Sequence, residues 1–427
     1  MLQINSIRNN KQKFIDGLAI KNFDAKELIE KILSIDNDRK KFQTELDTLN
    51  AEANTLSKQI GELFKSGEQA KANDLKNKST TLKEESKKIE SALSLTEEEL
   101  NKVLVLLPNL PNERVPKGKS AADNEIVFSS VEIQDFVPLL SSDAKPHWEL
   151  AAKYDIIDFE LGVKLTGAGF PVYKGKGAKL QRALINFFLD KATDAGYLEI
   201  EPPVLVNEAS GFGTGQLPDK EGQMYHITSD KLYLIPTAEV PITNIYRNVI
   251  LKEELLPIKN CGYTPCFRRE AGSYGKDVRG LNRLHQFDKV EIVQIVHPEK
   301  SYDALEEMKT FVIELLKQLE LPFRVLKLCG GDMSFASAFT YDFETYSAAQ
   351  QKWLEVSSVS NFETFQSNRM KARFRDKNNK INFVHTLNGS ALALPRIVAT
   401  LLENNQIEKG IKIPKTLVPY TGFAMIN

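Results

Sequence analysis

The sequence predicts an α+β protein in two parts: an N-terminal antiparallel two-helix coiled-coil arm, then a domain of mixed helices and strands. Three observations predict it. Apolar residues recur in a 4-3 pattern from Leu28 to Leu63, and more weakly from Leu75 to Leu107, as a coiled-coil seam requires. Near residue 110, after Pro108, the heptads give way to shorter segments of helical and strand period. Among these, Thr264–Val296 reads as two strands joined by a cation-rich loop, TPCFRREAGSYGKDVRGLNRLHQFDKVEIVQIV.

Composition narrows the class. A chain of 427 residues has room for more than one domain. Its net charge of -1 offers no global basic field, so a nucleic-acid partner would have to be met by locally arranged cations. Three cysteines and five scattered histidines give neither a zinc-like spacing nor a disulfide framework, and Cys261 and Cys266 read as reduced packing residues. The start, MLQINSIRNNKQKF, lacks an apolar h-region, and no run approaches a membrane span, so a cytoplasmic protein is expected.

Residues 1–23 read as a short helix and linker, and Asp24 with Glu27 as a capping box. The first arm helix carries its seam on Leu28, Ile32, Ile35, Arg39, Phe42, Leu46, Leu49, Ala53, Leu56, Ile60 and Leu63, with Arg39 the one cation. Gly67 breaks it. The second repeat, Leu75, Leu82, Ile89, Leu93, Leu100, Val103 and Leu107, is interrupted by Ser79, Ser86 and Thr96, and Pro108 stops it. Each helix is about 60 Å long at 1.5 Å per residue, too long for a globular core. Residues 25–105 hold 14 Lys/Arg against 16 Asp/Glu, so charge alone does not separate a nucleic-acid-binding arm from a dimerisation or scaffold coiled coil. The domain boundary is therefore placed at 110, with 1–110 carrying the arm (about 24–107) and 111–427 the rest.

In the second part, strands are expected near Ile126–Phe128 and Val131–Ile133. Ala178–Ala195 reads as an amphipathic helix ended by Gly196, followed by a strand over Tyr197–Leu205. Gly211–Pro218 reads as a glycine-rich loop without the Gly-Lys-Ser/Thr of a P-loop. In Leu234–Glu239, Thr237 and Glu239 either face one way from extended chain to hold an ammonium group, or start a helix over Val240–Arg247. Along the central hairpin, Arg268 and Glu270 should project together, and Phe287, Lys289 and Glu291 should share a face opposite Val290 and Ile292. Arginine, carboxylates and an aromatic ring in one place suit a nucleotide whose phosphates are held and whose base is stacked. Tyr302–Leu319 reads as a helix, Phe323–Cys329 as a strand, and Lys352–Ser358 as an apolar strand ending in polar groups. There a spacing of three puts Glu355 and Ser358 on opposite faces, so the strand must end or bulge if both meet one ligand. Leu387–Arg396 leads into an apolar helix with Pro395 suited to its first turn and Arg396 at its phosphate-favouring end. Past Lys415 a short surface tail is expected.

Phe267-Arg268-x-Glu270 followed by His285-Gln286-Phe287-x-x-x-Glu291 closely resembles motif 2 of class II aminoacyl-tRNA synthetases, in the form carried by seryl-tRNA synthetases. The helix, Gly196-Tyr197 and Pro203 resemble motif 1, and Leu387–Arg396 resembles motif 3, departing from it where Pro395 and Ala391 stand. The resemblance covers nearly the whole chain. It implies a class II catalytic domain, an antiparallel β-sheet flanked by helices, that activates L-serine with ATP and transfers it to tRNA(Ser), leaving tRNA(Sec) open. It implies that Arg268, Glu270 and Arg396 carry the chemistry, and that Arg268, Arg269, Glu270, Phe287, Glu355, Val356, Ser357, Ser358 and Arg396 bind ATP. Thr237, Ala238, Glu239, Arg268, Glu291, Asn388 and Ser390 would bind serine, and Glu355 and Ser358 the Mg²⁺ that accompanies ATP, with no zinc. The arm would cradle the long variable arm of the tRNA, with Lys40, Lys41, Lys58, Lys65, Lys71, Lys76, Lys78 and Lys83 as unranked contacts, and the region of Pro203 would build a homodimer. A carboxylate nucleophile is already ionised at pH 7, so a missing Ser-His-Asp or Cys-His set is expected; alignment and charge stabilisation suffice.

Overall fold

The computed structural model describes residues 1–131, 144–271 and 279–427. It divides into two compact units, one of residues 2–19 and 23–108, the other of Met1, 20–22 and 109–427. Beyond Val131, the second of the early strands lies outside the described residues, as do Gly272, Gly275 and Lys276 of the basic loop.

In the first unit two short helices, α1 (Ile4–Asn9) and α2 (Lys11–Ile20), stand where the sequence predicts one helix and a linker. The arm is α3 (Lys26–Lys65) and α4 (Gln69–Leu104), turning over at Ser66–Glu68. All eleven seam positions of α3 are buried or half-buried. Arg39 is tolerated among them because its Nε donates to Asp36 Oδ1 at 2.9 Å, while Arg8 donates to Asp36 Oδ2 at 2.5 Å. Asp36 is fully buried, and these two cations compensate its desolvation. The second repeat is continuous, not interrupted: Ser79 is buried, and Ser86 and Thr96 are half-buried in the seam. Thr96 fits because its hydroxyl donates back to the Ala92 carbonyl at 2.8 Å. Asp24 accepts from the Lys26 N–H at 3.1 Å, where α3 begins.

The second unit is built on an eight-stranded sheet. Its strands are β1 (Glu125–Ser129), β2 (Leu198–Glu199), β3 (Ile258–Phe267), β4 (Gln286–Val296), β5 (Phe323–Lys327), β6 (Phe339–Ser347), β7 (Lys352–Asn361) and β8 (His385–Ala393). The spatial order is β1-β5-β6-β7-β8-β4-β3-β2. All neighbours are antiparallel except β2, which runs parallel to β3 at one edge. The helices that position the site are α5 (His147–Lys153), α6 (Gly175–Asp194), α7 (Glu208–Thr214), α8 (Glu239–Asn244), α9 (Ser301–Gln318), α10 (Phe365–Met370) and α11 (Leu394–Asn404). Leu184, Phe187 and Phe188 of α6, Leu305, Met308 and Val312 of α9, and Ile397 and Leu401 of α11 join Val290 and Ile292 of β4 in one core.

Several expectations are corrected. Tyr197–Leu205 is not one strand: only Leu198–Glu199 joins the large sheet, while Leu205–Asn207 pairs in a separate three-stranded sheet. Pro202 and Pro203 between them have no N–H to extend a ladder. The first half of the supposed loop at Gly211–Pro218 is helical: Gly211–Thr214 is the end of α7. Asn207 caps it by accepting from the Ser210 N–H at 3.0 Å, and Gly215, at φ 98°, ends it in the left-handed region. Glycine is required inside this helix, since a Cβ on Gly213 would sit 2.7 Å from Asn244 Oδ1 and Met370 Cγ. Beyond Lys415 the tail is packed, not superficial: Leu417 and Ile426 are buried, and Ile426 pairs with Ile411.

Candidate active site

The sheet order explains which residues meet. β8 comes late in the chain yet lies between β7 and β4. Because neighbours are antiparallel, the C-terminal end of β8, the N-terminal halves of β4 and β7, and the C-terminal end of β3 fall at one level. Ser390 lies opposite Glu291, Phe287 opposite Cys266, and the Ser357 hydroxyl donates to the Ser390 carbonyl at 2.6 Å. β8 carries one residue more than β4 between Ser390 and Ala393, and this irregularity falls on Ala391 and Leu392, where the motif 3 resemblance departs.

Thr237, Glu239, Lys289 and Glu291 form a buried polar pocket. Of the two readings of Thr237 and Glu239, the backbone shows the helix start: Ala238 between them is right-handed helical, not extended. The Thr237 hydroxyl accepts the Glu239 N–H at 3.2 Å where α8 starts, and it also accepts from Lys289 Nζ at 2.8 Å. α8 is shorter than expected, ending at Asn244. Ala238 is buried beneath. Glu239 Oε1 accepts from Gln366 Nε2 of α10 at 2.5 Å, and Glu291 Oε2 lies 2.5 Å from Lys289 Nζ. Burial, then the nearby charge of Glu291, pushes the Glu239 carboxyl up to about 7 against the pull of Gln366, Lys289 and Arg268. Burial likewise raises Glu291, against the opposing pull of Lys289, Arg268 and Thr237. Asn388 is buried beside Ser390 on β8, and its amide nitrogen has no hydrogen-bond partner.

On the nucleotide side, the expectation that Arg268 and Glu270 project together from a strand is corrected. β3 ends at Phe267, and Glu270 takes φ 48°, so the two-residue alternation of a strand does not apply. Glu270 is half-buried against Arg283, 3.1 Å away, whereas Arg269 is exposed and ties its backbone N–H to the Gln223 carbonyl at 2.9 Å. Arg268 lies over the Phe287 ring, 5.2 Å from its centroid, with Nε 3.4 Å from the Pro236 carbonyl. Arg396 enters from the first turn of α11, which has Pro395 in its first turn. It donates to the Glu355 carbonyl at 2.8 Å and to the Asn282 carbonyl at 3.2 Å, with the Glu355 carboxylate 3.7 Å away.

The strand holding Glu355 and Ser358 bulges between them, as a shared ligand demands. Glu344 pairs with Glu355 and Phe343 with Ser357, leaving Val356 as the extra residue on β7. Val356 and Ser357 are buried, Glu355 is exposed and Ser358 half-buried. Ser358 lies opposite Asp342 of β6, whose buried Oδ1 has no hydrogen-bond partner.

Sequence reasoning missed several supports. Lys289 was legible only as a face-mate of Glu291, and nothing in the sequence marks Gln366. A buried network joins α5, α11 and the returning end of the basic loop. His147 Nε2 accepts from the Leu281 N–H at 2.8 Å and its Nδ1 lies 2.7 Å from Glu403 Oε1, so Nδ1 carries the proton toward Glu403. Gln350 bridges Glu403 (3.0 Å) to Asn282 (2.9 Å), whose carbonyl holds Arg396. Gly280, at φ 65°, lets the chain pass this histidine, since a Cβ would sit 2.2 Å from Nε2.

Comparison with known proteins agrees with this geometry. Residues 1–111 match the seryl-tRNA synthetase N-terminal domain, and residues 225–405 the class II tRNA synthetase core domain (G, H, P, S and T). The serine--tRNA ligase of Salinibacter ruber is 48% identical over all of this chain and 99% of its own length, and that of Chlorobium luteolum is likewise 48% identical with the same coverage. A crystal structure of seryl-tRNA synthetase from Pyrococcus horikoshii complexed with ATP superposes with a TM-score of 0.91 at 32% identity, covering 100% of this chain and 99% of that one. With matches running the length of both parts, the chain belongs to the seryl-tRNA synthetase family.

Proposed function

We propose that residues 111–427 run the chemistry and residues 1–110 present the tRNA. The chain is a class II serine--tRNA ligase: it activates L-serine with ATP and transfers the seryl group to tRNA(Ser). In activation, a serine carboxylate oxygen attacks the α-phosphorus and the bond to the bridging oxygen breaks, so pyrophosphate leaves carrying the electron pair. In transfer, a terminal ribose hydroxyl of the tRNA displaces AMP.

The buried Thr237–Glu239–Lys289–Glu291 pocket beside Arg268 carries the reading of the site. Glu239 and Thr237 receive the serine ammonium, with Ala238 as their backbone support. Glu291, with Ser390 and Asn388 alongside, receives the hydroxyl. Arg268 bridges the serine carboxylate and the α-phosphate, neutralising charge that grows in the transition state. The adenine stacks on Phe287, with Glu270 at its amino group and Arg269 at the rim. Arg396 covers the opposite side and reaches the terminal phosphate. An ATP-borne Mg²⁺ needs only one or two protein oxygens. Glu355 and Ser358 would supply them; the bulge at Val356 between the two, and the Asp342 carboxylate oxygen without a hydrogen-bond partner opposite Ser358, support that reading. When bound, the ion would neutralise the phosphates, and the Val356–Ser357 backbone would line the same wall. Among the described residues no helix is long and apolar enough to cross a membrane. We place the reaction in the cytoplasm, with the Pro203 region pairing two copies; tRNA(Sec) is a second acceptor to be tested beside tRNA(Ser).

The test is amino-acid-dependent ATP–pyrophosphate exchange without tRNA, with serine, threonine, alanine and cysteine in parallel. Exchange with serine alone is expected. Exchange with another amino acid would overturn the pocket assignment, and none from a folded, ATP-binding sample would overturn the proposed chemistry.

A further inference from the structure

Lys289 has no part in the scheme above, yet it sits at its centre. Its side chain is 7% exposed and that of Glu291 2%. Two residues apart on β4, they share a face, and the ammonium meets Glu291 Oε2 at 2.5 Å and Thr237 Oγ1 at 2.8 Å. A buried lysine is costly unless paired, so its presence needs an electrostatic reason. The inventory of the pocket supplies one. Facing it are Glu239 from α8, Glu291 from β4 itself, Arg268 beyond the end of β3, Gln366 from α10, Thr264 and Cys266 from β3, and Ser390 from β8. Two carboxylates balance two cations. Serine arrives as a zwitterion, so the filled pocket is also neutral. Without Lys289 the empty pocket would hold two carboxylates against Arg268 alone, and one of them would take up a proton.

We propose that Lys289 is a specificity-determining residue, which fixes Glu291 as a charged acceptor for the substrate hydroxyl by pairing Glu291 and Thr237 at once. The inference rests on the reading that Glu291 meets the serine side chain. A fixed carboxylate accepts a charge-assisted hydrogen bond from a hydroxyl and is left short of a donor when alanine binds. Sites of that kind reject the analogue lacking the hydroxyl by roughly 10⁴–10⁵-fold. A protonated or swinging Glu291 can satisfy itself without the substrate, and the discrimination falls. Burial raises the Glu291 carboxyl and the charge of Lys289 is the first influence opposing it, in keeping with that role. Lys289 acts through Glu291 and is a positioning residue.

The experiment measures kcat/KM for serine and for alanine in ATP–pyrophosphate exchange, for the wild type, Lys289→Met, Lys289→Arg and Glu291→Gln. Folding is checked by melting temperature and by ATP-induced stabilisation. Lys289→Met should lower the serine-to-alanine ratio by about 10²-fold, almost all of it as lost serine efficiency, and Lys289→Arg should restore part of it. The double variant Lys289→Met/Glu291→Gln should be little worse than the Lys289→Met single. The serine KM of Lys289→Met should also rise more steeply on acidification than that of the wild type. A folded Lys289→Met that loses serine and alanine activity equally, or keeps the wild-type ratio, overturns the proposal. If Glu291→Gln itself leaves the ratio unchanged, the assignment of Glu291 to the hydroxyl fails instead. If Lys289→Met does not fold, Lys289→Gln takes its place under the same criteria.

Discussion

The apparent KM for serine should rise on acidification with a midpoint near pH 7, because the proposed role of Glu239 requires it to be ionised to receive the substrate ammonium. Burial and the neighbouring Glu291 push its carboxyl up to about 7 in the empty pocket. The free amino acid stays zwitterionic across the range, so the titration belongs to the protein. If only the ionised pocket binds serine, the apparent KM scales with one plus the ratio of protonated to ionised Glu239. That factor is about 11 at pH 6 and about 1.1 at pH 8, a tenfold rise worth about 1.4 kcal/mol. The linkage has a stability counterpart. A folded-state carboxyl raised from 4.5 to about 7 contributes stability that is present below pH 4.5 and lost as pH climbs through 7. Serine offsets the loss by binding the ionised form, so the serine-induced rise in melting temperature should be larger at pH 8 than at pH 6. The assay is pyrophosphate exchange at constant ionic strength between pH 6 and 8.5, with Glu239→Gln as the control that assigns the titration to Glu239. A pH-independent KM in the wild type, or an unchanged pH profile in Glu239→Gln, would refute the reasoning.

Three further outcomes follow from the structure. Gln350→Ala cuts the link from Glu403 to Asn282 and so loosens the carbonyl that orients Arg396; loss of one such bond, about 1.4 kcal/mol, should lower kcat/KM for ATP roughly tenfold. In an Arg396→Lys background the same change should cost almost nothing, and additive losses would sink the coupling. Asp36→Ala strands Arg8 and Arg39 and should lower stability by about 3 kcal/mol in urea unfolding. The wild-type Asp36 carboxyl is held below its usual range: burial raises it, but the hydrogen bonds and charges of Arg8 and Arg39 prevail. That contribution is therefore present above about pH 4 and lost as pH falls further, so the gap between variant and wild type should narrow in acid. Deleting Asn37–Asn101 should preserve serine-dependent exchange and abolish tRNA aminoacylation; a folded deletion variant lacking both would contradict the division of labour.

What the sequence revealed was what period and local chemistry determine. The arm seam was legible because burial along α3 follows the heptads residue by residue, and α9 and β4 because their apolar periods are long and regular. Legibility failed where tertiary contacts override local preference. Glu270 leaves the strand because its backbone turns left-handed against Arg283, which alternation has no way to foresee. Gly211 and Gly213 read as loop residues, yet they lie in α7, where close neighbours leave no room for a Cβ and so call for glycine despite its poor helix propensity. The pairing of Lys289 with Thr237 spans 52 residues, and the contact between His147 and Glu403 spans 256. The bulge at Val356 was inferable only as a condition on a shared ligand, and that condition is met.

The empty site also explains how so many charges sit near one another before any substrate arrives. Arg268, Arg396 and Lys289 are each already partnered within the protein. Arg268 rests over Phe287, Arg396 bonds the Glu355 carbonyl and lies near its carboxylate, and Lys289 holds Glu291. A buried ammonium such as that of Lys289 would cost several kcal/mol without a partner, and these contacts hold the three side chains in place. In the proposed scheme substrate binding exchanges partners on cations that are already in place. In the proposed assignment the α-phosphate would take Arg268 from the aromatic face, and the adenine would take the vacated ring. Interactions of Arg268 that strengthen only as negative charge grows on the phosphorus oxygens lower the barrier, whereas those equally strong with bound ATP lower only KM. Replacing Phe287 with leucine separates the two. It removes the resting place of Arg268 and the stacking surface together, while leaving the arginine free to meet phosphate. The ATP KM should rise by about tenfold with kcat changed little, since base stacking contributes about 1–3 kcal/mol to ground and transition states alike. A fall in kcat as large as the rise in KM would mean that the ring also aims the arginine in the transition state.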